Sequence, residues 1–415
     1  MHYEFFTNNT GQLRIKIMYE NLAILALFAF IYSIIAGKLE QTLFSGPLVF
    51  ITFGLICSPL GLGIINIDVK NIELRTLADI TLALFLFADA ANADMKTLRK
   101  NIKLPRRMLL ISLPLNILLG FILGWFIFDE LQVFEIAILA TMLAATDAAL
   151  GKAVITNKAV PIHIRETLNA ESGLNDGICV PILFVFIALA VGTESQSSGL
   201  MMALTLVVEE IGIGLLVGLG LTFIASQLLT YCRKQGWITE LWGQLPVITL
   251  SVSCFALAQN LHGSGYIAAF AGGILFGIME KKSKHQLLQA AEGTGETLAL
   301  ITWIIFGAAV VGQLFKVISW DVVLYALLSL TVIRMLPVYI SLIGTNIDNS
   351  SKLFLGWFGP RGLASIVFAI IVLNEDLPGG ETLAITVVCT VFFSIIAHGI
   401  SANPLIKRFS KKQTQ

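Results

Sequence analysis

The chain has 415 residues, of which 56% are hydrophobic and only 13% are charged, whereas about a quarter of an ordinary soluble domain is charged. This composition excludes a soluble globular protein and indicates that most of the chain faces lipid. The 27 basic residues balance the 27 acidic ones, so the net charge gives no reason to expect a nucleic-acid partner.

The apolar residues form runs that recur from Asn21 to Gly399. Each run is long enough, or nearly so, to cross a hydrocarbon core of ~30 Å as a helix. A β-barrel would instead show alternating segments of ~10 residues, and no such alternation runs through the chain. We therefore predict an all-α integral membrane protein with about thirteen transmembrane helices. The predicted spans are 21–37, 46–65, 74–92, 108–128, 135–156, 164–191, 201–229, 242–260, 265–279, 296–314, 320–343, 353–373 and 381–400.

The basic residues set the predicted orientation. The connection after the third span is strongly basic, and the positive-inside rule places it in the cytoplasm. Its basic residues are Lys96, Arg99, Lys100, Lys103, Arg106 and Arg107. Alternation from there puts the N-terminus outside and the C-terminus in the cytoplasm, although Arg14 and Lys16 then fall outside. The predicted parts are an N-terminal segment (1–20) without a cleavable signal peptide, a transmembrane domain (21–404) and a short basic cytoplasmic tail (405–415).

Charged side chains inside the predicted spans need a reason, because each costs on the order of 3 kcal/mol at the centre of a membrane helix. These residues are Asp79, Asp89, Asp147, Glu171, Asp176, Arg334 and Arg361. We expect Asp79, like Arg75, to be interfacial or structural and Arg334 to be structural. His163 and His398 have no acidic neighbours in sequence, so we expect packing or surface positions for them rather than pH sensing.

Span six carries the densest polar group. Ser172 and Asp176 are four residues apart and share one helix face, while Glu171 and Asn175 share the adjacent face. A hydroxyl and a carboxylate offer the hard oxygen ligands that suit a small alkali cation. The carboxylate of Glu171 could instead hold an arginine.

Spans five and twelve run in opposite directions, as inverted repeats require. Span twelve contains Gly359-Pro360-Arg361-Gly362, and proline removes a backbone donor, so we predict an interruption near mid-membrane. Span five carries Thr146-Asp147, which are only modest helix formers, so propensity alone does not predict a break there. If both helices were interrupted and crossed, Asp147 and Arg361 could neutralise the opposed helix ends.

Three motifs in this chain order resemble those of the cation/proton antiporter superfamily, in particular its sodium/proton exchanger branch. They are Thr146-Asp147, Glu171-Ser172-Gly173-Leu174-Asn175-Asp176 and Gly359-Pro360-Arg361-Gly362. The resemblance covers essentially the whole membrane region. It implies inverted repeats with two interrupted crossing helices, spans five and twelve, in a core that moves against a scaffold. It also implies a homodimer in the cell inner membrane.

The resemblance further implies roles for individual residues. Asp176 would bind the cation or the proton in a site whose residues are Asp176, Ser172, Thr146, Asp89, Asn175 and Asp147. Glu171 would pair with Arg361 as a structural ion pair. Two positions depart from the family pattern: Ala148 stands where the family has proline, and Gly173 loosens span six beside the site.

The expected function is exchange of a monovalent cation, in the first place Na⁺, for H⁺ by alternating access. Asn175 stands where electrogenic relatives carry a second aspartate, which favours electroneutral one-for-one exchange. Two alternatives stay open: K⁺/H⁺ exchange at the same site, and a passive cation channel or cation-sensing membrane module. We expect no enzymatic activity and no cofactor, because the sequence shows no nucleophile-base set, metal-ligand cluster or cofactor motif.

Overall fold

Helices make up the regular structure throughout the part of the chain that this computed structural model describes, and no strand occurs in that part. The described residues are 2–39, 42, 45–65, 72–92, 103–147, 150–194, 198–280, 284–311, 318–375 and 377–413. The predicted all-α class is confirmed.

The helices are numbered in chain order. They are α1 (His2–Leu39), α2 (Gly46–Cys57), α3 (Ile72–Asn92), α4 (Lys103–Ile127, with a π-helical turn at Met108–Ser112), α5 (Val133–Met142), α6 (Lys152–Ile155), α7 (Ile162–Glu194), α8 (Ser198–Lys234), α9 (Pro246–Asn260), α10 (Gly265–Met279), α11 (Lys284–Ile305), α12 (Trp320–Leu330), α13 (Val332–Ser341), α14 (Asn349–Trp357), α15 (Leu363–Leu373) and α16 (Gly380–Gln413). A 3₁₀ turn, Trp242–Gln244, precedes α9, and a π-helical turn, Phe306–Val311, follows α11.

The described residues contain 6 helical segments long and apolar enough to cross a membrane. These segments are Tyr19–Leu39, Lys103–Ile127, Ile162–Gly192, Val207–Lys234, Trp320–Ser341 and Gly380–Lys411. Shorter apolar helices of 10–17 residues are α2, α5, α9, α10 and α15. The chain is therefore a multi-pass membrane protein, and each predicted span overlaps a helix or a pair of helices. The number of helices that cross the membrane stays a prediction.

Predicted spans five and twelve are each divided into two helices. In span five, α5 ends at Met142 and α6 begins at Lys152, while in span twelve α14 ends at Trp357 and α15 begins at Leu363. Pro360 accounts for the second interruption, because it has no N–H to continue the helix. The first interruption has no proline in its described residues, so tertiary contacts must hold it open. Ala148, the departure from the family pattern, lies outside the described residues.

Helix α15 is buried on every side. Every residue from Leu363 to Val372 is buried, and a helix that is apolar all round belongs in a protein interior rather than at a surface. Its first turn therefore lies inside the protein. This burial brings the positive end of a helix dipole to the interruption before Leu363.

Helix α3 packs closely on α10 through two glycines. A Cβ atom at Gly273 or Gly277 would overlap the backbone of Phe87 or Ala91 in α3, so only glycine permits this spacing. The contact fixes the part of α3 that carries Asp89. The sequence signal was a pair of glycines four residues apart, which often marks close helix packing in membranes.

Asp79 joins α3 to α10 at a second point. Tyr266 Oη donates a hydrogen bond of 2.6 Å to Asp79 Oδ1, and Arg75 Nε lies 3.8 Å from Asp79 Oδ2. Both partners come from helices of the packed pair α3 and α10. Asp79 is therefore structural, as predicted.

The predicted ion pair between Glu171 and Arg361 is wrong, because Glu171 pairs with Arg334 of α13. Both terminal guanidinium nitrogens of Arg334 donate to the carboxylate, Nη1 to Oε1 and Nη2 to Oε2, the latter at 2.7 Å. Both side chains are buried, with 1% and 3% exposed. This bidentate pair ties α7 to α13.

The sequence could not distinguish the two arginines, because each is a buried cation in a predicted span. The structure shows why Arg361 is not the partner: its guanidinium bonds to backbone carbonyls at the end of α5. Gly359 also leaves room for Arg334, since any side chain there would overlap its guanidinium group. The expectation that Arg334 is structural is confirmed.

A double-mutant cycle tests the reassigned pair. Glu171→Ala and Arg334→Ala should each lower the stability in detergent by roughly 3–5 kcal/mol, because each strands a buried charge. The double mutant should lose less than the sum, with a coupling of roughly 0.5–3 kcal/mol measured from melting curves. Lys152→Ala, in an exposed pair with Glu296, is the control and should cost at most about 1 kcal/mol.

The same double-mutant cycle run on Glu171 and Arg361 should give a smaller coupling energy than the cycle on Glu171 and Arg334. A larger coupling for Glu171 with Arg361 than with Arg334 would contradict the assignment.

Candidate functional site

The two interrupted segments lie directly against each other. The backbone N–H of Asp147 donates to the carbonyl oxygen of Pro360 at 2.8 Å. Ser365 Oγ donates to the carbonyl oxygen of Met142, the last residue of α5, also at 2.8 Å. Each interrupted segment thus supplies hydrogen-bond partners for backbone groups of the other segment. Buried backbone groups need such partners.

Asp147 caps the start of α15. Its Oδ2 accepts a hydrogen bond of 2.8 Å from the N–H of Leu363, the first residue of that helix, and its Oδ1 accepts one of 3.1 Å from the N–H of Leu150. A negative charge is favourable at a helix N-terminus. Gly362 is required at the contact, since any side chain there would overlap the Asp147 carboxylate.

Arg361 places a positive charge at the C-terminal end of α5. Its Nη1 lies 3.4 Å from the carbonyl oxygen of Ala144 and 3.3 Å from that of Ala145, which follow the last turn of α5. A positive charge is favourable there because helical carbonyls point toward it. The predicted neutralisation of the helix ends by Asp147 and Arg361 is therefore present.

Next to this junction, three buried polar side chains form a connected group. Asn175 Nδ2 donates to Thr146 Oγ1 at 2.6 Å, and Thr146 Oγ1 lies 3.1 Å from Ser172 Oγ, within hydrogen-bond distance. Thr146 precedes the Asp147 cap, whereas Ser172 and Asn175 come from α7. The structure thus brings together residues of the first two motifs, which are 26 to 29 positions apart in sequence.

Asp176 adds a carboxylate whose hydrogen-bonding capacity is not filled. Its Oδ1 is buried and has no hydrogen-bond partner among the described residues. The amide oxygen Oδ1 of Asn175 is also buried and has no partner among them. A buried polar oxygen without a partner is rare and needs an explanation. A cation or a proton would satisfy such an oxygen.

Asp89 approaches the same group from α3. The Cβ of Asp89 lies 3.4 Å from the position that a Cβ of Gly173 would occupy, so Asp89 lies next to α7 at Gly173. The charges of Asp89, Asp147 and Asp176 interact. Of the predicted site residues, Asp176, Ser172, Thr146, Asn175 and Asp89 therefore gather around one place, with Asp147 beside them.

Two further acids, Glu292 and Glu296 of α11, were missed by the sequence reasoning. Their charges interact with that of Asp89, and they are engaged by Asn92 Nδ2 at 2.5 Å and by Lys152 Nζ at 3.1 Å. The predicted tenth span began at residue 296, whereas α11 begins at Lys284. The spacing of four residues between the two acids was a usable signal for one helix face.

His398 was predicted to be a packing or surface residue, and this prediction is incomplete. Its side chain is buried, and both ring nitrogens lie within hydrogen-bond distance of α14 or α16 atoms. The spacing of four residues between Ser394 and His398 in a predicted span was the only signal in the sequence.

Comparison with known proteins gives the family. The model described as "Sodium/hydrogen exchanger, transmembrane" matches residues 24–408, which contain all three motifs. The chain is 24% identical over 289 residues to the Na(+)/H(+) antiporter NhaH of Halobacillus dabanensis, covering 65% of this chain and 67% of that protein. It is 21% identical over 272 residues to the K(+)/H(+) antiporter NhaP2 of Shewanella sp. (strain ANA-3), covering 64% of this chain but only 45% of that protein.

Among solved structures, the chain is similar to the sodium proton antiporter MjNhaP1 from Methanocaldococcus jannaschii at pH 8. The TM-score is 0.76 at 21% sequence identity, covering 95% of this chain and 99% of that one. At this identity the likeness establishes the fold. Since the family match extends over nearly the whole chain and includes every residue of the site, the protein belongs to the sodium/hydrogen exchanger family.

Proposed function

We propose that the protein is a secondary antiporter that exchanges a monovalent cation for H⁺ at the carboxylate of Asp176. The observation that carries the proposal is the buried Oδ1 of Asp176, which has no hydrogen-bond partner among the described residues. Its neighbour in the chain, Asn175, donates to the hydroxyl of Thr146, which lies 3.1 Å from that of Ser172. Two similar proteins are named as an Na⁺/H⁺ and a K⁺/H⁺ antiporter.

Exchange follows because the cation and the proton compete for the negative charge of the Asp176 carboxylate. In general, a carboxylate buried away from water binds a proton more readily than one in solution, and a bound cation opposes that proton. At Asp176, a cation would be held by the carboxylate together with the hydroxyl oxygens of Ser172 and Thr146. These hard oxygen ligands suit an alkali cation. Cation and proton therefore replace each other and are not carried together.

Asp147 has a different role in this proposal. Both of its carboxylate oxygens already accept backbone N–H bonds, from Leu363 and Leu150. It stabilises the helix junction and contributes negative charge near the cation, but it is not a direct ligand. Asp89, whose charge interacts with that of Asp176, would complete the electrostatic environment on the α3 side.

Transport also requires alternating exposure of the site. We extend the proposal to the family architecture: thirteen spans, inverted repeats, spans five and twelve crossing in a mobile core, and a dimerising scaffold. The location would be the inner membrane, with the N-terminus outside and the C-terminus in the cytoplasm. The Lys152–Glu296 pair of 3.1 Å, which joins α6 to α11, would then link core to scaffold and would break during the cycle.

Na⁺ is the cation that we propose first, and K⁺ at the same site is the alternative. The alternative is supported by the similarity to a protein named as a K⁺/H⁺ antiporter. Both ions use the same oxygen ligands, so the residues of the site do not separate them. Internal pH measured in proteoliposomes with Na⁺, K⁺ and Li⁺ gradients would determine the selectivity.

Asp176→Asn should abolish cation-driven pH change in proteoliposomes, with a loss of at least about 100-fold. An amide can neither titrate nor balance the charge of a cation. Asp79→Asn is the matched control, since Asp79 is also a membrane carboxylate but is bonded to Tyr266. It should keep most of the activity. Exchange above about half the wild-type rate by folded Asp176→Asn protein would place the ion elsewhere.

Asp89→Asn should weaken cation binding without abolishing exchange. Removing one nearby negative charge, at an interaction energy on the order of 1 kcal/mol, raises the half-maximal cation concentration about fivefold. The measurement is the initial exchange rate across a cation titration. An unchanged titration curve would remove Asp89 from the site.

The proposed stoichiometry is one cation for one H⁺, because Asn175 is an amide and cannot titrate. Its Nδ2 also donates to Thr146. A membrane potential imposed on proteoliposomes at zero cation gradient should therefore drive no proton flux. A sustained, cation-dependent flux under these conditions would show an electrogenic cycle, in which Asp89 also takes up a proton.

A further inference from the structure

The interruption between α14 and α15 leaves backbone polar groups in a buried place. Residues 358–362 are not helical, and they are all buried. Such groups cannot bond to water in a hydrocarbon core, and each one left unpaired costs several kcal/mol. The carbonyl of Pro360 accepts from Asp147, and that of Trp357 accepts from the N–H of Gly359 at 2.9 Å. The N–H of Arg361 and the second lone pair of the Trp357 carbonyl remain for partners outside the segment.

Helix α16 supplies those partners from one face. Ser394 Oγ accepts a hydrogen bond of 2.7 Å from the backbone N–H of Arg361. His398 Nε2 lies 2.8 Å from the carbonyl oxygen of Trp357, the last residue of α14. Ser394 and His398 are four residues apart and therefore face the same side of α16. Together they hold both ends of the interrupted segment.

Each ring nitrogen of His398 faces a carbonyl oxygen, Nε2 that of Trp357 and Nδ1 that of Ser394. Carbonyl oxygens only accept, so a charged ring donates from both nitrogens and a neutral ring from one of them. Nδ1 lies 3.2 Å from Ser394 Oγ and 2.8 Å from the Ser394 carbonyl oxygen. We assign the hydrogen of a neutral ring to Nε2, because Nδ1 can then accept from the Ser394 hydroxyl while Nε2 donates to the Trp357 carbonyl.

The held segment bears directly on the helix junction at the ion site. Arg361, whose N–H bonds to Ser394, places its guanidinium on the carbonyls that end α5. Two residues later, the N–H of Leu363 donates to Asp147. A shift of this segment would therefore move both helix-end contacts, and Thr146 is the neighbour of Asp147 in the chain.

We propose that His398 is a positioning residue for the ion site: through Trp357 and, with Ser394, through Arg361, it fixes the interrupted segment that organises the site. The inference rests on the proposed antiport function. His398 itself touches no ion. Its ring also packs against Trp357 and Phe358, with centroid distances of 5.4 and 6.3 Å. A packing role and a hydrogen-bonding role must therefore be separated experimentally.

Two substitutions separate the roles. His398→Phe keeps a ring of similar bulk but has no donor for the Trp357 carbonyl, whereas His398→Gln keeps a side-chain N–H donor and loses the ring. Thr390→Val is the matched control in α16, because it removes a buried hydroxyl that bonds only as far as Thr386 in its own helix. If His398→Phe does not fold, Ser394→Ala is measured instead, because it removes the acceptor for the backbone N–H of Arg361.

The first measurement is the cation titration of exchange in proteoliposomes. His398→Phe should raise the half-maximal cation concentration about 2- to 10-fold, the equivalent of one buried hydrogen bond. His398→Gln and Thr390→Val should both stay within about twofold of wild type. The second measurement is hydrogen-deuterium exchange of peptides spanning residues 358–366, which should be faster in His398→Phe alone.

Equal defects in His398→Phe and His398→Gln, or wild-type behaviour of His398→Phe in both measurements, would overturn the positioning role. Wild-type behaviour of His398→Phe beside a defective His398→Gln would indicate packing only, whereas equal defects would show that the hydrogen bond to Trp357 is not what sets the position. If wild-type vesicles exchange no cation for H⁺, the proposed antiport function fails. Hydrogen exchange then decides the positioning of residues 358–366 independently of transport.

Discussion

A backbone that leaves the helical conformation inside a membrane protein has to find every hydrogen-bond partner within the protein. In this structure two such interruptions satisfy each other. Asp147 and Arg361 each neutralise a helix end that belongs to the opposite break, and Pro360 accepts from the backbone of Asp147. The proposed ion site lies beside this junction, so its geometry depends on the pairing. A break in one helix alone would be costly, whereas two facing breaks compensate each other.

Sequence alone was sufficient where a single residue type determines the outcome. Apolar runs located the helices, and Pro360 located one interruption, because proline cannot continue a helix whatever surrounds it. The spacing within α7 placed Ser172 and Asp176 on one face, since helical periodicity is a local property. The buried charges identified where function or structural pairing had to occur. These inferences need no knowledge of which helices are neighbours.

Sequence alone failed where the answer depends on tertiary neighbours. Glu171 had two buried arginines to choose from, and only the packing of α13 shows that Arg334 is its partner. The break after α5 contains no proline in its described residues and is held by contacts with the other break. The role of His398 depends on α14 ending opposite α16. In each case the missing information was which helix faces which, and periodicity does not carry it.

The chain order at the first break has a mechanical consequence. Thr146 presents a hydroxyl to the polar group around Ser172, and the very next residue, Asp147, caps α15. One planar peptide bond therefore joins the residue of the proposed ion site to the residue that caps the helix. Any movement of the backbone at this peptide would change the position of the hydroxyl and the contact with α15 at the same time.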